Sequence, residues 1–331
     1  MVTIKDVARR ANVSFTTVSH VINQTRPVSP RTADAVRAAI LDLGYLPSGV
    51  ARALQSRRTR TIGMVVTTTT NPFFGEVIRG VERRSFERGY TLMLCNTDDV
   101  TTNLVAYTQT LLTKRVDAIV VMTSNASPDF FHRLAEIKRI PMVGIDAPSG
   151  ALSSVFSDDS VAGGRIVANH LADRGFTRIA CVTGPLQHPR MADRITGFTA
   201  ALAARNLAPT AIVETELDAN GGWTAARRLL DSGPPPEAVF ALSDILAVGL
   251  LHGIFERGYE VPRDISVVGY DDIDVAAHTF PPLTTMRQPA MQIGAAAADA
   301  LIDHLENGAP LPALRMLQSA LVERASVRPR A

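Results

Sequence analysis

Two groups of side chains in this sequence have types and spacings suited to recognition chemistry. The first lies in FTTVSHVIN, residues 15–23. Val18, Val21 and Ile22 fall on one side of a helix, which leaves Phe15, Thr16, Thr17, Ser19, His20 and Asn23 on the other. Short polar side chains near a helix start, with arginines nearby, suit entry into a DNA major groove. There hydroxyl, imidazole and amide groups meet base edges, and basic groups meet phosphates. A small polar helical face can also bind protein. The second group is scattered along the chain. Asp146 ends MVGID, Asp271 ends VVGYD, Gln288 ends TTMRQ, Arg194 lies at an expected helix start in RMADRITGF, and Phe73 and Phe74 follow an apolar run in NPFFGEVIRGVE. Phenyl faces pack on the C–H face of a sugar or the flat face of a base, while charged and amide groups orient hydroxyls. Each residue also has a plainer reading, as a turn cap for the acids and as core for the phenylalanines. Their common place at the ends of apolar runs favours a ligand site.

No enzyme signature accompanies them. GxGxxG after the first apolar run, GxxxxGK[ST], GxSxG and HExxH are all absent, so no catalytic residue is expected. The two cysteines, Cys95 and Cys181, lie in apolar runs without CxxC or Cys/His spacing, so they read as buried free thiols. Neither a metal nor a cofactor is expected.

These residues must be positioned by a chain of 331 residues with 46% hydrophobic and 20% charged content, enough for a sizeable core. No apolar run of about 18 residues suggests a membrane span. The charged start MVTIKDVARRANV lacks the apolar stretch of a signal peptide, so a cytoplasmic protein without membrane contact is expected. Net charge is +2 but uneven: residues 1–60 hold ten basic and three acidic residues, +7, against −5 for the rest. A basic head on a mildly acidic body points to a polyanion. Within the head, Thr3 with Asp6, then Ser14, then Ser29 before Pro30, each open a helix, and Gly44 closes the third. The first two helices are joined by about three residues, a helix-turn-helix over residues 1–47. SGVARALQSRRTR, residues 48–60, then joins the head to the body.

From Thr61 to Ala331, short apolar runs alternate with amphipathic stretches. The runs cover 61–67, 91–97, 118–124, 141–147, 178–184, 211–217, 238–243 and 266–271. Continuous apolar runs at β–α spacing read as parallel strands buried on both faces. Two such series imply an α/β body of two lobes with a ligand cleft where strand ends face each other. The expected lobes are about 61–159 with 289–320 and about 160–287, with a C-terminal strand 314–325 crossing between them.

TIKDVARRANVSFTTVSHVINQTRPVS closely resembles the N-terminal domain of the lac-repressor family. NPFF, FERGYTLMLCNTDD, RIACVTGPL, AVFALSD, VVGYDDI and PPLTTMRQP extend the likeness almost end to end, to the family's ribose- and purine-responsive members and to periplasmic sugar-binding proteins. The resemblance implies a helix-turn-helix head, a hinge helix and a two-lobed, periplasmic-binding-protein-like core. Its DNA-facing set would be Thr3, Phe15, Thr16, Thr17, Ser19, His20, Asn23, Arg52 and Leu54. Thr16 and His20 would read bases. Phe15 departs from the usual smaller polar residue and could touch a thymine methyl. Residues 48–55 would be the hinge helix, too short to persist alone, with Leu54 wedged into the minor groove and arginines near phosphates. A plain linker is the alternative reading. Its ligand set would be Asn71, Phe73, Phe74, Asp146, Arg194, Leu217, Ser243, Asp271 and Gln288. Leu217 replaces an aromatic, Ser243 an asparagine, and Ala147 a tryptophan or arginine. The expectation is therefore a sugar-responsive transcriptional repressor, a homodimer on a palindromic double-stranded operator, released by a pentose such as ribose. A purine or other small molecule acting as co-repressor is the runner-up, followed by a sugar-metabolising enzyme or a transport binding protein. LVERASVRPRA carries no leucine heptad, so a dimer is expected rather than a tetramer.

Overall fold

In the computed structural model, residues 2–23, 25–45, 58–68, 70–98, 100–122, 140–147 and 152–329 are described. The expected hinge helix, with Arg52 and Leu54, lies outside them. The chain forms two compact units, Met1–Thr59 and Arg60–Ala331.

The first unit holds α1 (Ile4–Arg10), α2 (Phe15–Asn23) and α3 (Pro30–Leu43). Asp6 folds back on the start of α1, accepting from the Thr3 amide at 2.9 Å and the Thr3 hydroxyl at 2.7 Å. Ser14 Oγ accepts from the Thr17 amide at 3.0 Å, and Ser29 Oγ from the Thr32 amide at 3.3 Å. Each hydroxyl satisfies a donor that the helix leaves unpaired. Val7, Ala8, Val18, Val36 and Ala39 form a small core. The connection from α1 to α2 is Ala11 to Ser14, one residue longer than expected, with Asn12 in the left-handed region at φ 52°.

The second unit contains two six-stranded sheets. The first comprises β1 (Thr61–Val66), β2 (Thr91–Asn96), β3 (Ala118–Met122), β4 (Met142–Ile145), β5 (Val155–Asp158) and β11 (Leu314–Leu317). Its order is β11-β5-β4-β3-β1-β2, and every pairing is parallel. The second comprises β6 (Ile179–Thr183), β7 (Ala211–Glu214), β8 (Ala238–Ala241), β9 (Ser266–Asp271), β10 (Thr284–Arg287) and β12 (Ala320–Val322). Its order is β12-β10-β9-β8-β6-β7, with β12 alone antiparallel.

Helices cover the sheets in packed pairs. α4 (Pro72–Glu87) meets α10 (Ala290–Asn307), α6 (Ser160–Asp173) meets α7 (Pro189–Ala203), and α8 (Ala219–Asp231) meets α9 (Asp244–Glu256). α5 (Thr101–Thr113) lies against β1. β3, β4, β6, β8 and β9 are buried throughout, as continuous apolar runs require between two helix layers. Burying a large side chain such as Phe156, Phe198 or Phe240 contributes about 1.5–3 kcal/mol.

The chain passes between the lobes three times: after β5 into α6, after β10 into α10, and between β11 and β12. The single crossing strand expected at 314–325 is thus two short strands in different sheets. Leu317 pairs with Asp158, and after Gln318 and Ser319 the chain joins Arg287 through Ala320. β5 and β10 are absent from the apolar runs because VFSD and TTMR are short and partly polar, yet both are almost wholly buried.

Candidate ligand pocket and nucleic-acid interface

The facing ends of the two sheets bound a cleft whose free volume is about 40 Å³, small beside typical small-molecule sites. It is lined by Asn71, Phe73, Phe74, Asp146, Arg194, Leu217, Ser243 and Asp271, joined by Thr67, Met122, Ile145, His188, Arg190 and Met191. Eight of the nine expected ligand residues therefore converge. Gln288 stands behind Asp271, donating from Nε2 to Asp271 Oδ1 at 2.6 Å.

Each wall has a local cause. Asn71 caps α4, accepting from the Phe73 amide at 3.0 Å, and so fixes where the helix begins. Phe73 and Phe74 then project from the first turn, their rings 5.7 Å apart at 75°. This edge-to-face geometry leaves a ring face for a ligand. Phe73 also packs into the core, so it serves both readings considered from the sequence. Asp146 and Asp271 end or follow strands with φ of 51° and 124°. Such backbone costs about 1–3 kcal/mol per residue and persists only where packing enforces it.

Arg194 lies in the second turn of α7, not at the helix start. It is almost fully buried, with Nη1 on the Leu242 carbonyl at 2.6 Å and 3.7 Å from Asp271 Oδ1. Its guanidinium carbon sits 3.7 Å from the centre of the Tyr270 ring. Asp271 Oδ2 accepts from Ser243 Oγ at 2.7 Å. Thus Ser243 orients an acid rather than capping α9. Leu217 closes the cavity with an aliphatic wall.

Burial dominates the electrostatics. It raises the Asp146 carboxyl to about 7, with the field of Asp158 adding to it and Arg190 and Arg194 opposing. Burial also raises Asp271, against the pull of Arg194. It lowers the His188 imidazole to about 4, helped by Arg194 and Arg190. Asp146 Oδ1, His188 Nδ1, Arg190 Nε, Arg194 Nε and Gln288 Oε1 have no hydrogen-bond partner among the described residues. Unpaired polar atoms are costly unless a ligand satisfies them. Acceptors, donors and flat apolar faces together can orient a polyhydroxylated ring. His188, Arg190 and Met191 lie outside the expected ligand set. Their signal was the proline-led helix start HPRMADR, whose first turn faces the cleft.

In the head, α2 leaves Phe15, Thr16 and Asn23 of the other expected set exposed and Thr17, Ser19 and His20 half-buried. Phe15 is 60% exposed, too much for a core residue. The Thr17 hydroxyl pairs with Ser14 Oγ at 2.8 Å, Asn23 donates to Ser19 at 3.2 Å, and His20 Nδ1 lies 2.7 Å from Thr25 Oγ1. Thr16 is exposed, with no such bond among the described residues. Thr3 is exposed and held by Asp6.

Residues 3–48 match the model of bacterial regulatory proteins of the lacI family, and residues 168–327 match the periplasmic binding protein-like domain. The ribose operon repressor of Escherichia coli K12 is 41% identical over 329 residues, 98% of this chain and 100% of that protein. The chain belongs to the lacI family of bacterial regulatory proteins.

Other lacI-family members bear this out. The HTH-type transcriptional repressor PurR of Photobacterium profundum is 41% identical over 310 residues, 93% of each chain. The lac repressor dimer bound to operator and the anti-inducer ONPF superposes with a TM-score of 0.89 at 28% identity over 98% of each chain. A lacI-family regulator from Enterococcus faecium with bound ribose gives 0.75 at 31% identity, over 81% of this chain and 99% of that one. The α/β fold, with a helical head and two parallel-sheet lobes, is thus the fold of this family of ligand-responsive, DNA-binding repressors, not of an enzyme. Among the described residues no helix is long and apolar enough to cross a membrane, and no cluster of His, Cys, Asp or Glu could hold a metal ion.

Proposed function

We propose that this lacI-family repressor acts in the cytoplasm as a homodimer on a palindromic operator and is released by a sugar, a pentose such as ribose in the first instance. The observation that carries the ligand assignment is the convergence of two edge-to-face phenyl rings with buried Asp146, Arg194 and Asp271 in one cavity. Rings take the apolar face of a furanose or pyranose, while the carboxylates accept from its hydroxyls and Arg194 donates to its oxygens.

On the DNA side, α2 enters the major groove with Phe15 and Thr16 leading, and Thr17, Ser19, His20 and Asn23 following. Thr3 lies at the backbone. Arg52 and Leu54, read from the sequence alone, act at the operator centre, where the leucine opens a base step and the arginine meets phosphate. The effector works by binding one arrangement of the lobes more tightly than the other.

Operator fragments selected from the genome, then titrated in a gel shift with D-ribose, other pentoses, hexoses and purines, test this reading. D-ribose is expected to weaken the complex. A purine that strengthens it would instead establish a co-repressor, the reading that the PurR relatives favour.

A further inference from the structure

β9 ends in Tyr270 and Asp271, and these neighbours hold side chains from all three passages between the lobes. The Tyr270 hydroxyl donates to Asp158 Oδ2 at 2.5 Å, and Ser319 Oγ donates to the same oxygen at 3.0 Å. Asp158 is the last residue of β5, just before the first passage, and Ser319 lies in the third. Its other oxygen, Oδ1, accepts from Ser160 Oγ at 2.7 Å. The second passage begins at Gln288, which donates to Asp271 Oδ1 at 2.6 Å. Tyr270, Asp271, Asp158, Ser319, Ser160 and Gln288 are all buried. Space for the tyrosine hydroxyl exists because α6 carries Gly163, where a Cβ would collide with Tyr270 Oη.

Asp271 lines the ligand cavity, and the fully buried Tyr270 reaches it through Arg194. The Tyr270 ring supports the Arg194 guanidinium at 3.7 Å, and Asp271 lies 3.7 Å from the same group. A buried aromatic ring is rigid, so its edge and its hydroxyl move together. A movement of the ring with Arg194 would carry the hydroxyl against Asp158, and a movement of the hydroxyl with the lobes would carry the ring beneath Arg194.

We propose that Tyr270 is the positioning residue that links the cavity to the lobe arrangement: its ring presents Arg194 to the ligand while its hydroxyl holds the first and third passages in register. This rests on the cavity being the effector site, and not on which effector occupies it.

Tyr270→Phe keeps the ring and removes the hydroxyl. Nitroxides placed at Thr102→Cys on α5 and Ala203→Cys on α7, both exposed, report the distance between lobes by double electron–electron resonance; the native cysteines are buried. The doubly labelled full-length chain is diluted into unlabelled protein. Without ligand, Tyr270→Phe is expected to broaden or shift the distance distribution relative to wild type. A distribution that superimposes on wild type overturns the proposal. Should Tyr270→Phe fold poorly, Ser319→Ala removes the other donor to the same oxygen and carries the same expectation.

A second readout uses D-ribose and operator DNA. Tyr270→Phe is expected to shrink the ligand-dependent change in operator affinity by about tenfold, well beyond any loss of ligand affinity. A parallel loss of both points to a purely structural role and also overturns the proposal. If D-ribose leaves wild type unaffected, the pentose assignment fails, and the interlobe distances still decide the role of Tyr270.

Discussion

Replacing Asp146 by asparagine should stabilise the ligand-free protein while abolishing its response to ligand. The carboxyl is buried, Oδ1 has no partner among the described residues, and burial holds its pKa at about 7. In the unfolded chain it ionises near 3.9, and each unit of difference is worth about 1.4 kcal/mol. Keeping it ionised in the folded protein thus costs up to about 4 kcal/mol at about pH 8. The folded pKa lies above the unfolded one, so the folded state binds more protons between about pH 4 and about pH 7. The stability contributed is therefore complete below about pH 4 and is lost as pH rises through about 7. Asparagine removes this dependence, though its amide protons still need acceptors. A net gain of about 1–3 kcal/mol at about pH 8, falling to none near pH 4, is expected. Urea unfolding of both proteins without ligand, from about pH 5 to about pH 8, measures it directly. Asp244, also raised to about 7 by burial, leaves a residual slope in the variant. Equal stability at about pH 8, or parallel pH slopes for the two proteins, would refute the reasoning. The same variant should show no thermal shift with any sugar that shifts wild type, because a neutral amide cannot replace the anionic acceptor.

Arg194→Lys keeps the charge but loses the planar stack on Tyr270, and calorimetry should show ligand affinity lower by about 2 kcal/mol, roughly thirtyfold. Phe15→Ala should weaken operator binding by about 1–2 kcal/mol per half-site. In fluorescence anisotropy it should also erase the preference for thymine over deoxyuridine at one base pair; an unchanged preference would remove Phe15 from base reading. Gly249→Ala places a Cβ against the Ala219 carbonyl oxygen, where α8 and α9 approach backbone to backbone. The urea midpoint should fall by an amount equivalent to about 3 kcal/mol with the slope unchanged.

Much of the architecture was legible because its signals are local. Ser14 and Ser29 announce helix starts through hydroxyls that only a few residues determine. Most of the eight apolar runs are strands covered on both faces, which leaves little room for polar positions, while β2 and β7 at the sheet edges keep exposed residues. β5 and β10 gave no such signal. Val155–Asp158 and Thr284–Arg287 are short, and their polar residues find partners far along the chain, as Asp158 does with Tyr270 and Ser319 and Thr285 does with Asp244. Within the site, Asp146 and Asp271 were visible as acids after apolar runs. His188 and Arg190 stood outside the expected ligand set, since what brings them to the cleft is the docking of α7 on α6.

The sequence by itself determined the three head helices, the eight strands of the apolar runs, the basic recognition head and membership of the lacI family, because helix caps, apolar periodicity and motif residues act through near neighbours. Only the tertiary structure decided which polar groups are buried and against what. That Asp146 is pushed to about 7, that Ser243 orients Asp271 instead of capping a helix, and that Tyr270 joins Arg194 to Asp158 all follow from residues dozens to more than a hundred positions apart. Desolvation and hydrogen bonding depend on those distant neighbours, and the closing of two sheets around one cleft is what sets them.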